Sequence, residues 1–191
     1  MRRHRTRLTL PGVRQAAAGA VLVAALAGCS TNPASEPPPP TAQQLQANVA
    51  KYGLEAQLRS LGSAVTGKVR VYDQGDGLRI LVSVINMPDV RFRIAFHEAA
   101  NCTSPNGFSV GPHWAPGGRD ARNLIPVLST NQDGTAETSL HVRGVHVGGP
   151  DGVEGRSVII YTGDRVTDAV SGVANNRVAC GTFTPVQPFA F

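Results

Sequence analysis

The sequence is poor in aromatic and charged residues, which make up 5% and 16% of its 191 positions. Glycine and proline are abundant by comparison, at 21 and 14 residues, and this balance favours short strands and many turns over long helices. No internal repeat is visible. The length suits one domain with a substantial core, so no second domain is needed.

Acidic residues are absent from the first 28 positions, which instead contain Arg2, Arg3, Arg5, Arg7 and Arg14. Without this segment, 13 basic residues balance 13 acidic ones, so the formal charge of +5 belongs to the N-terminal segment alone. A neutral remainder carries no basic footprint for phosphates, and nucleic-acid binding is therefore not expected.

Long hydrophobic runs are also absent, because no apolar stretch reaches the roughly 20 residues that a transmembrane helix needs. The stretch AAAGAVLVAALAG follows the arginines as the apolar region of a secretory signal. It ends in LAG before Cys29, which resembles the lipobox of bacterial lipoproteins, in which the cysteine is lipidated and becomes the first mature residue. We predict a signal peptide over 1–28 and lipidation of Cys29. The alternative is an ordinary signal peptide in which Cys29 is incidental.

A proline-rich segment, STNPASEPPPPT, follows Cys29 directly. Its four consecutive prolines favour an extended polyproline II conformation, which makes a semi-rigid spacer. We therefore predict that 29–41 is a tether that holds a domain off the extracytoplasmic face of the cell membrane, in the cell envelope.

The remainder divides into a lead-in over 42–63 and a main domain over 64–191. Leu45, Val49 and Tyr52 recur at helical spacing and predict a short helix over 42–52. Alternating apolar residues predict eight strands, at 54–60, 66–73, 78–86, 91–97, 124–130, 134–142, 156–161 and 177–184. Eight short antiparallel strands with two long loops indicate an all-β fold, an eight-stranded Greek-key barrel or sandwich.

Residues 91–115, RFRIAFHEAANCTSPNGFSVGPHWA, carry the most specific pattern. Phe92, Ile94 and Phe96 alternate toward a core, which places Ala95 and His97 together on the other face. Cys102 follows five residues after His97, and a Gly-Pro-His-Trp turn then supplies a second histidine. This stretch resembles the copper-binding strand and loop of the Cu,Zn superoxide dismutases, and the likeness extends from about 65 to 183. The resemblance implies that family's barrel.

The resemblance also implies a copper site of four histidines, of which this chain retains two. His97 and His113 match two of the ligands, the second being the one that bridges to zinc. Ala95 replaces the first histidine of the strand and has no donor atom. Tyr161, in GRSVIIYTG, replaces the last, and a phenolate is a costly ligand at neutral pH. Copper is expected to bind weakly or as Cu(I).

The zinc ligands implied by the family are missing, and no zinc is expected. Leu124 falls at the position of the aspartate, and Asp120 is the sole carboxylate of the loop, short of a tetrahedral set. His141 and His146 lie far along the sequence from this region, and we expect them to be exposed or hydrogen-bonded.

Three cysteines leave an even pair if Cys29 carries lipid. The segment around Cys180, RVACG, matches the family segment whose cysteine pairs with the loop cysteine, so the resemblance implies a Cys102–Cys180 disulfide. Two unbridged buried thiols are the alternative. Arg177 in the same segment matches the arginine that borders the family's copper channel and attracts superoxide. A structural guanidinium that bonds loop carbonyls is an equal reading.

Three functions follow from this reading. The first is a dismutase-like envelope lipoprotein with little or no dismutase activity and a binding or structural role. The second is a weakly active copper-dependent dismutase that uses His97, His113 and a third donor such as Tyr161. The third is an extracytoplasmic copper-binding protein. The membrane is a partner through the lipid anchor, a protein partner is left open, and no motif indicates the oligomeric state.

Overall fold

The computed structural model describes residues 38–88, 91–119, 123–166 and 176–186. One α-helix, α1, spans Ala42–Tyr52. Nine strands follow it: β1 (Leu54–Ser60), β2 (Thr66–Gln74), β3 (Gly77–Ile85), β4 (Arg91–His97), β5 (Leu128–Ser129), β6 (Ala136–Arg143), β7 (Ser157–Thr162), β8 (Arg177–Thr182) and β9 (Thr184–Pro185). No helix among the described residues is both long and apolar enough to cross a membrane.

The strands form a nearly closed eight-stranded antiparallel barrel, as the sequence predicts. The strand order is β5-β4-β7-β8-β1-β2-β3-β6, and the short β9 pairs with β1 beside this path. β4 follows β3 in the chain but does not pair with it, because β3 pairs with β6 instead. These non-sequential neighbours are typical of Greek-key connections.

The barrel interior is filled by the apolar residues that alternate along each strand. On β4, Phe92, Ile94 and Phe96 are almost completely buried within the main cluster, together with Val158 and Ile160 of β7. Alternate side chains of a strand point to opposite faces, so the strand buries its apolar set by placing one face against the core. The alternation therefore explains both the strands and the position of the core.

The second face of β4 is also buried, which alternation alone does not indicate. Ala95 and His97 are buried because the loop after β4 folds back over them. Ala95 belongs to a second apolar cluster with Val110 of this loop and Ile159 of β7. The strand is thus covered on both sides at the end where the histidine lies.

The predicted helix has the predicted bounds. Thr41 caps its first turn in a capping box: the Thr41 hydroxyl accepts from the Gln44 backbone, and the Gln44 side chain accepts from the Thr41 backbone. At the other end of the helix, the Gly53 backbone N–H donates to the Val49 carbonyl at 2.9 Å. Val49 packs against the main core, so the helix is attached to the barrel.

The predicted strand at 124–130 is wrong for most of its length, since the observed strand comprises only Leu128–Ser129. Pro126 lacks a backbone N–H and cannot donate to a strand neighbour. Ile125 is buried and Leu124 packs against the core from an irregular segment. The apolar residues of this stretch therefore pack into the core without belonging to a strand.

Several predictions fall outside the described residues. These are the signal peptide over 1–28, the lipidation of Cys29, most of the tether over 29–41, and Asp120. They stay predictions.

Candidate metal centre

The two histidines are brought together by the loop that returns to the end of β4. The Trp114 backbone N–H donates to the Phe96 carbonyl at 2.9 Å, and the Glu98 N–H donates to the Pro112 carbonyl at 3.1 Å. These bonds place His97 beside His113, and the two imidazole centroids are 4.5 Å apart.

Gly111 sets the direction in which His97 points. Its φ of 73° is in the left-handed region that favours glycine, and its carbonyl lies 2.9 Å from Nδ1 of His97. A carbonyl can only accept, so Nδ1 carries the proton and Nε2 is left as an acceptor. Nε2 is thereby directed toward β7.

The hydroxyl of Tyr161 lies between the two imidazoles. It is 2.8 Å from Nε2 of His97 and 3.3 Å from Nε2 of His113. Since Nε2 of His97 accepts, the Tyr161 O–H donates to it, and the phenol oxygen then accepts from the Nε2–H of His113. One chain of hydrogen bonds therefore runs from His113 through Tyr161 and His97 to the Gly111 carbonyl.

Burial keeps His97 neutral. It lowers the pKa of His97 from the ordinary 6.5 to about 3, and the positive charges of His113 and Arg177 act in the same direction. A neutral imidazole is the form that both accepts a hydrogen bond and ligates a metal. At neutral pH, Nε2 is occupied by the Tyr161 hydroxyl.

The position of the missing first histidine is apolar. Ala95 is 1% exposed and contacts the second cluster, in which Ile159, Tyr161 and Cys180 are fully buried. The methyl side chain of Ala95 has no atom that could ligate a metal. The site is therefore lined by apolar atoms on the side where the family has its first histidine ligand.

The disulfide implied by the sequence is formed between Cys102 and Cys180, with Cα atoms 5.8 Å apart. It attaches the covering loop to β8. Arg177, on the same strand, is 3% exposed, and its Nη1 donates to the Gly107 carbonyl at 2.6 Å. Its guanidinium carbon lies 4.9 Å from the Phe108 ring centroid and 5.7 Å from that of Tyr161. These are the contacts expected of an arginine that bonds loop carbonyls.

Arg156 contacts both histidine-bearing segments, a role that no local sequence pattern indicates. Its guanidinium forms an ion pair with Glu98, the residue after His97. It also lies 4.7 Å from the ring centroid of Trp114, the residue after His113. Contacts of this kind form only when segments distant in the sequence pack together, and local sequence patterns do not specify that packing.

The zinc half of the family's site has no counterpart in the described part of the chain. Leu124 packs against the core, and no group of three or more His, Cys, Asp or Glu side chains there could hold a metal. His141 bonds Asp76 at 2.9 Å and lowers the pKa of that carboxyl. His146 lies 3.3 Å from Asp73. His141 is hydrogen-bonded and His146 is exposed, as expected.

The fold and these paired imidazoles define a Greek-key barrel of the superoxide dismutase type. The family model described as copper/zinc superoxide dismutase (SODC) matches residues 65–183. The chain belongs to this family. It is 25% identical over 163 residues to "Superoxide dismutase [Cu-Zn]" of Deinococcus radiodurans, a match that covers 74% of this chain and 89% of that protein.

A solved structure supports the fold. The crystal structure of a double mutant of a SOD-like protein from Bacillus subtilis superposes with a TM-score of 0.57 at 19% identity, and the match covers 67% of this chain and 95% of that one.

The family's metal pair does not fit the residues present here. A four-imidazole copper site requires donors at the positions of Ala95 and Tyr161, and the first has none. The hydroxyl of Tyr161 instead satisfies Nε2 of both remaining histidines without a metal. The set that remains is two imidazoles and a phenol, and no step of the family's redox chemistry is derived from it.

Proposed function

We propose that this chain is a dismutase-like lipoprotein of the cell envelope that has little or no dismutase activity and serves a binding or structural role. The observation that carries the proposal is the Tyr161 hydroxyl shared by His97 and His113. A buried polar group is costly only when it lacks a partner, so this arrangement stabilises both imidazoles with no ion. The barrel is retained, whereas two of the four copper ligands that the family implies are not.

The location in the envelope is supported by the sequence. The lipobox that ends at Cys29 predicts an anchor in the membrane, and the proline-rich segment that follows predicts a spacer. The Cys102–Cys180 disulfide agrees with an oxidising compartment. The membrane is thus the partner of the anchor, and the barrel surface is available to a protein partner.

Copper(I) binding is the second candidate, and one observation favours it. Both Nε2 atoms are directed at a single oxygen, so an ion that displaced this hydroxyl would meet two imidazoles at once. Two nitrogen donors suit Cu(I) better than Cu(II), which prefers a larger tetragonal set. Such an ion would be held without efficient redox cycling.

The test is a dismutase assay on the full chain after copper loading, with metal content measured in the same sample. We expect a rate close to that of the copper-free protein. The double variant Ala95→His with Tyr161→His should gain copper affinity and activity, whereas each single variant should gain much less, since the ligands act as one unit.

A matched control adds a histidine away from the site. Tyr72 is a half-buried residue on the outer face of β2, so Tyr72→His changes composition in the same way without adding a ligand. Rapid dismutation by the copper-loaded natural chain would overturn the proposal. A double variant that binds copper no better than Tyr72→His would show that the strands at positions 95 and 161 no longer have the geometry of the family's copper site.

Zinc provides a separate measurement. Purified protein should contain no stoichiometric zinc, and added zinc should leave the melting temperature unchanged, because a ligand stabilises a fold only as far as it binds the native state. A tightly held equivalent of zinc would contradict the proposed loss of this site.

A further inference from the structure

Strand β6 has a strand neighbour on one side only. It pairs with β3 and ends the strand order of the sheet, so no strand among the described residues pairs with its other edge. The turn before β6 is closed, because the Asn131 backbone N–H donates to the Thr135 carbonyl at 2.9 Å. The pairing stops there, since β5 comprises only Leu128–Ser129 and pairs with β4. β6 is therefore an edge strand of the barrel.

Backbone groups of alternate β6 residues face this open edge. The N–H of Gly144, directly after β6, donates to the Asp76 carbonyl at 2.8 Å, so the even-numbered residues bond toward β3. The Arg143 carbonyl faces the other way and accepts from Nη1 of Arg119 at 2.9 Å. The same alternation applies along the rest of the strand. The other residues whose N–H and C=O groups lie along the open edge are Glu137, Ser139 and His141.

The inward side chains in the middle of β6 are only partly covered. Thr138 and Leu140 are half-buried, whereas Ala136 and Val142, which point to the same face, are buried. Leu140 packs against the main core, and so does the half-buried Leu124. An extended segment placed against β6 would cover these positions with its own inward side chains.

A groove of about 420 Å³ lies at the C-terminal end of the open edge. Its lining residues are Arg119, Asn123, Leu124, His141, Val142 and Arg143. One wall of the groove is thus the end of β6, and the other contains Asn123 and Leu124. An extended segment that enters the groove lies between these two walls.

The two ends of the edge differ in charge. Arg119 and Arg143 lie in the groove, and Arg79 of the adjacent β3 lies opposite the groove histidine. Asp76 is bonded to that histidine at 2.9 Å and offsets part of this positive charge. At the N-terminal end of β6, Glu137 is exposed. The edge therefore has a basic end at the groove and an acidic end near the turn.

We propose that the open edge of β6 binds an extended segment of a partner polypeptide, which adds a strand to the sheet. The segment runs antiparallel to β6, since antiparallel pairs are the more stable. Its N-terminal end is acidic and lies beside Arg119 and Arg143, and a basic residue lies opposite Glu137. Alternate apolar residues point inward, toward Leu124 and Leu140. This proposal rests on the binding role proposed above and gives that role a site.

The groove selects a single extended segment over a second copy of this barrel. A strand in the groove has β6 on one side and the wall of Asn123 and Leu124 on the other. The β6 of a second copy is bonded to its own β3 along its far side, so it cannot enter between these walls.

A synthetic peptide tests the edge directly. The probe is Asp-Val-Glu-Val-Thr-Val-Lys with blocked ends, which pairs residue by residue with β6 from Arg143 back to Glu137. It is titrated into the isotope-labelled full-length Cys29→Ser chain, and the backbone amide signals are followed by NMR. We expect saturable binding below about 1 mM, with the edge amides of Glu137, Ser139 and His141 shifting together. Absence of saturable binding, or shifts confined to another region, would overturn the proposal.

A methylated peptide separates backbone pairing from attraction between charges. N-methylation of the alternate peptide residues that face β6 removes their donors and leaves every side chain in place. Binding should weaken by about tenfold or more, because strand addition depends on main-chain hydrogen bonds. Equal binding of the two peptides would show that no strand is added.

A proline on the edge provides the matching change in the protein. Ser139→Pro removes an N–H that faces the open edge, and the ladder with β3 stays complete. Ser139→Ala is the control, since it keeps this N–H and also loses the bond that the Ser139 hydroxyl accepts from Arg79. The proline variant should bind the peptide about tenfold more weakly or less, and the alanine variant as the natural chain does. Equal affinities of the two variants would contradict the proposal.

Arg143→Glu tests the charge pairing in a chain whose backbone edge is unchanged. It should weaken binding of the peptide by about tenfold, and a peptide with Lys in place of Asp should bind this variant better than the natural chain. Lys51→Glu, the same charge change on exposed α1, should leave both affinities unchanged. Affinities that ignore Arg143→Glu would refute the assigned direction of the segment. These measurements involve neither copper nor superoxide, so their failure is distinct from a failure of the dismutase test.

Discussion

At the scale of single residues, the site depends on the reach of Tyr161. The strand register places Tyr161 opposite Arg93, not opposite His97, and only its length brings the hydroxyl to both imidazoles. The sequence predicted the positions of His97 and His113 because local motifs surround both. It could not predict the shared hydroxyl, since that contact depends on how three distant segments pack.

Removing this hydroxyl should destabilise the fold. Tyr161→Phe takes away the hydrogen-bond partner of Nε2 in His97, which stays buried, so the free energy of unfolding should fall by about 1–3 kcal/mol in urea titrations. Tyr72→Phe is the matched control, because the Tyr72 hydroxyl makes no hydrogen bond with the described residues. Equal losses from the two variants would show that the shared hydroxyl contributes nothing.

The lowered pKa of His97 gives the stability a pH dependence. The unfolded chain binds a proton on this residue below pH 6.5, while the folded chain resists it down to about pH 3. The contribution is therefore complete above 6.5 and is lost as the pH falls, at about 1.4 kcal/mol per pH unit. Unfolding in urea at a series of pH values should show a shallower dependence for His97→Gln.

Ile85→Ala supplies the comparison for that experiment. Ile85 is an exposed residue at the end of β3, and its replacement removes no titratable group, so the slope between pH 6.5 and 4.5 should stay close to that of the natural chain. Parallel curves for the natural chain and His97→Gln would mean that His97 is protonated in the folded state.

At the scale of elements, the sequence specified the strands where apolar residues alternate without interruption. The predicted bounds of β1 and β4 are those observed, and the ends of β2 and β3 differ by a single residue. The prediction at 177–184 merged two strands, because Phe183 leaves β8 and donates its N–H to the Arg156 carbonyl. Such a change of partner has no signature in apolar periodicity.

The loop between β4 and β5 covers the site and is held by the disulfide. Cys102 and Cys180 are 78 residues apart, so the bridge restricts a large part of the unfolded chain. The double variant Cys102→Ser with Cys180→Ser should lose about 4 kcal/mol of unfolding free energy in urea. Reduction of the natural chain should have the same effect. A loss below about 1 kcal/mol would show that the loop is held by its other contacts.

At the scale of the whole molecule, a compact unit begins at Pro39, and the sequence predicts a tether and an anchor before it. The helix α1 comes directly after the tether and contacts β2 and β9, so the barrel is held where the spacer ends. A rod of about 12 residues in polyproline II geometry spans about 37 Å. The predicted role of this segment is therefore that of a spacer between the predicted anchor and the domain.

The anchor itself rests on one atom, the thiol of Cys29. Cys29→Ser should release the protein into the soluble fraction or block its processing, because the predicted lipid is attached through sulfur and the apolar run before it is too short to span a bilayer. Fractionation with a high-salt wash makes the measurement, since salt removes proteins held by charge alone. Ser30→Ala, which alters the next residue and leaves the thiol, is the control and should remain with the membrane. A Cys29→Ser chain that is processed and still sediments with membranes in high salt would rule out the lipoprotein reading.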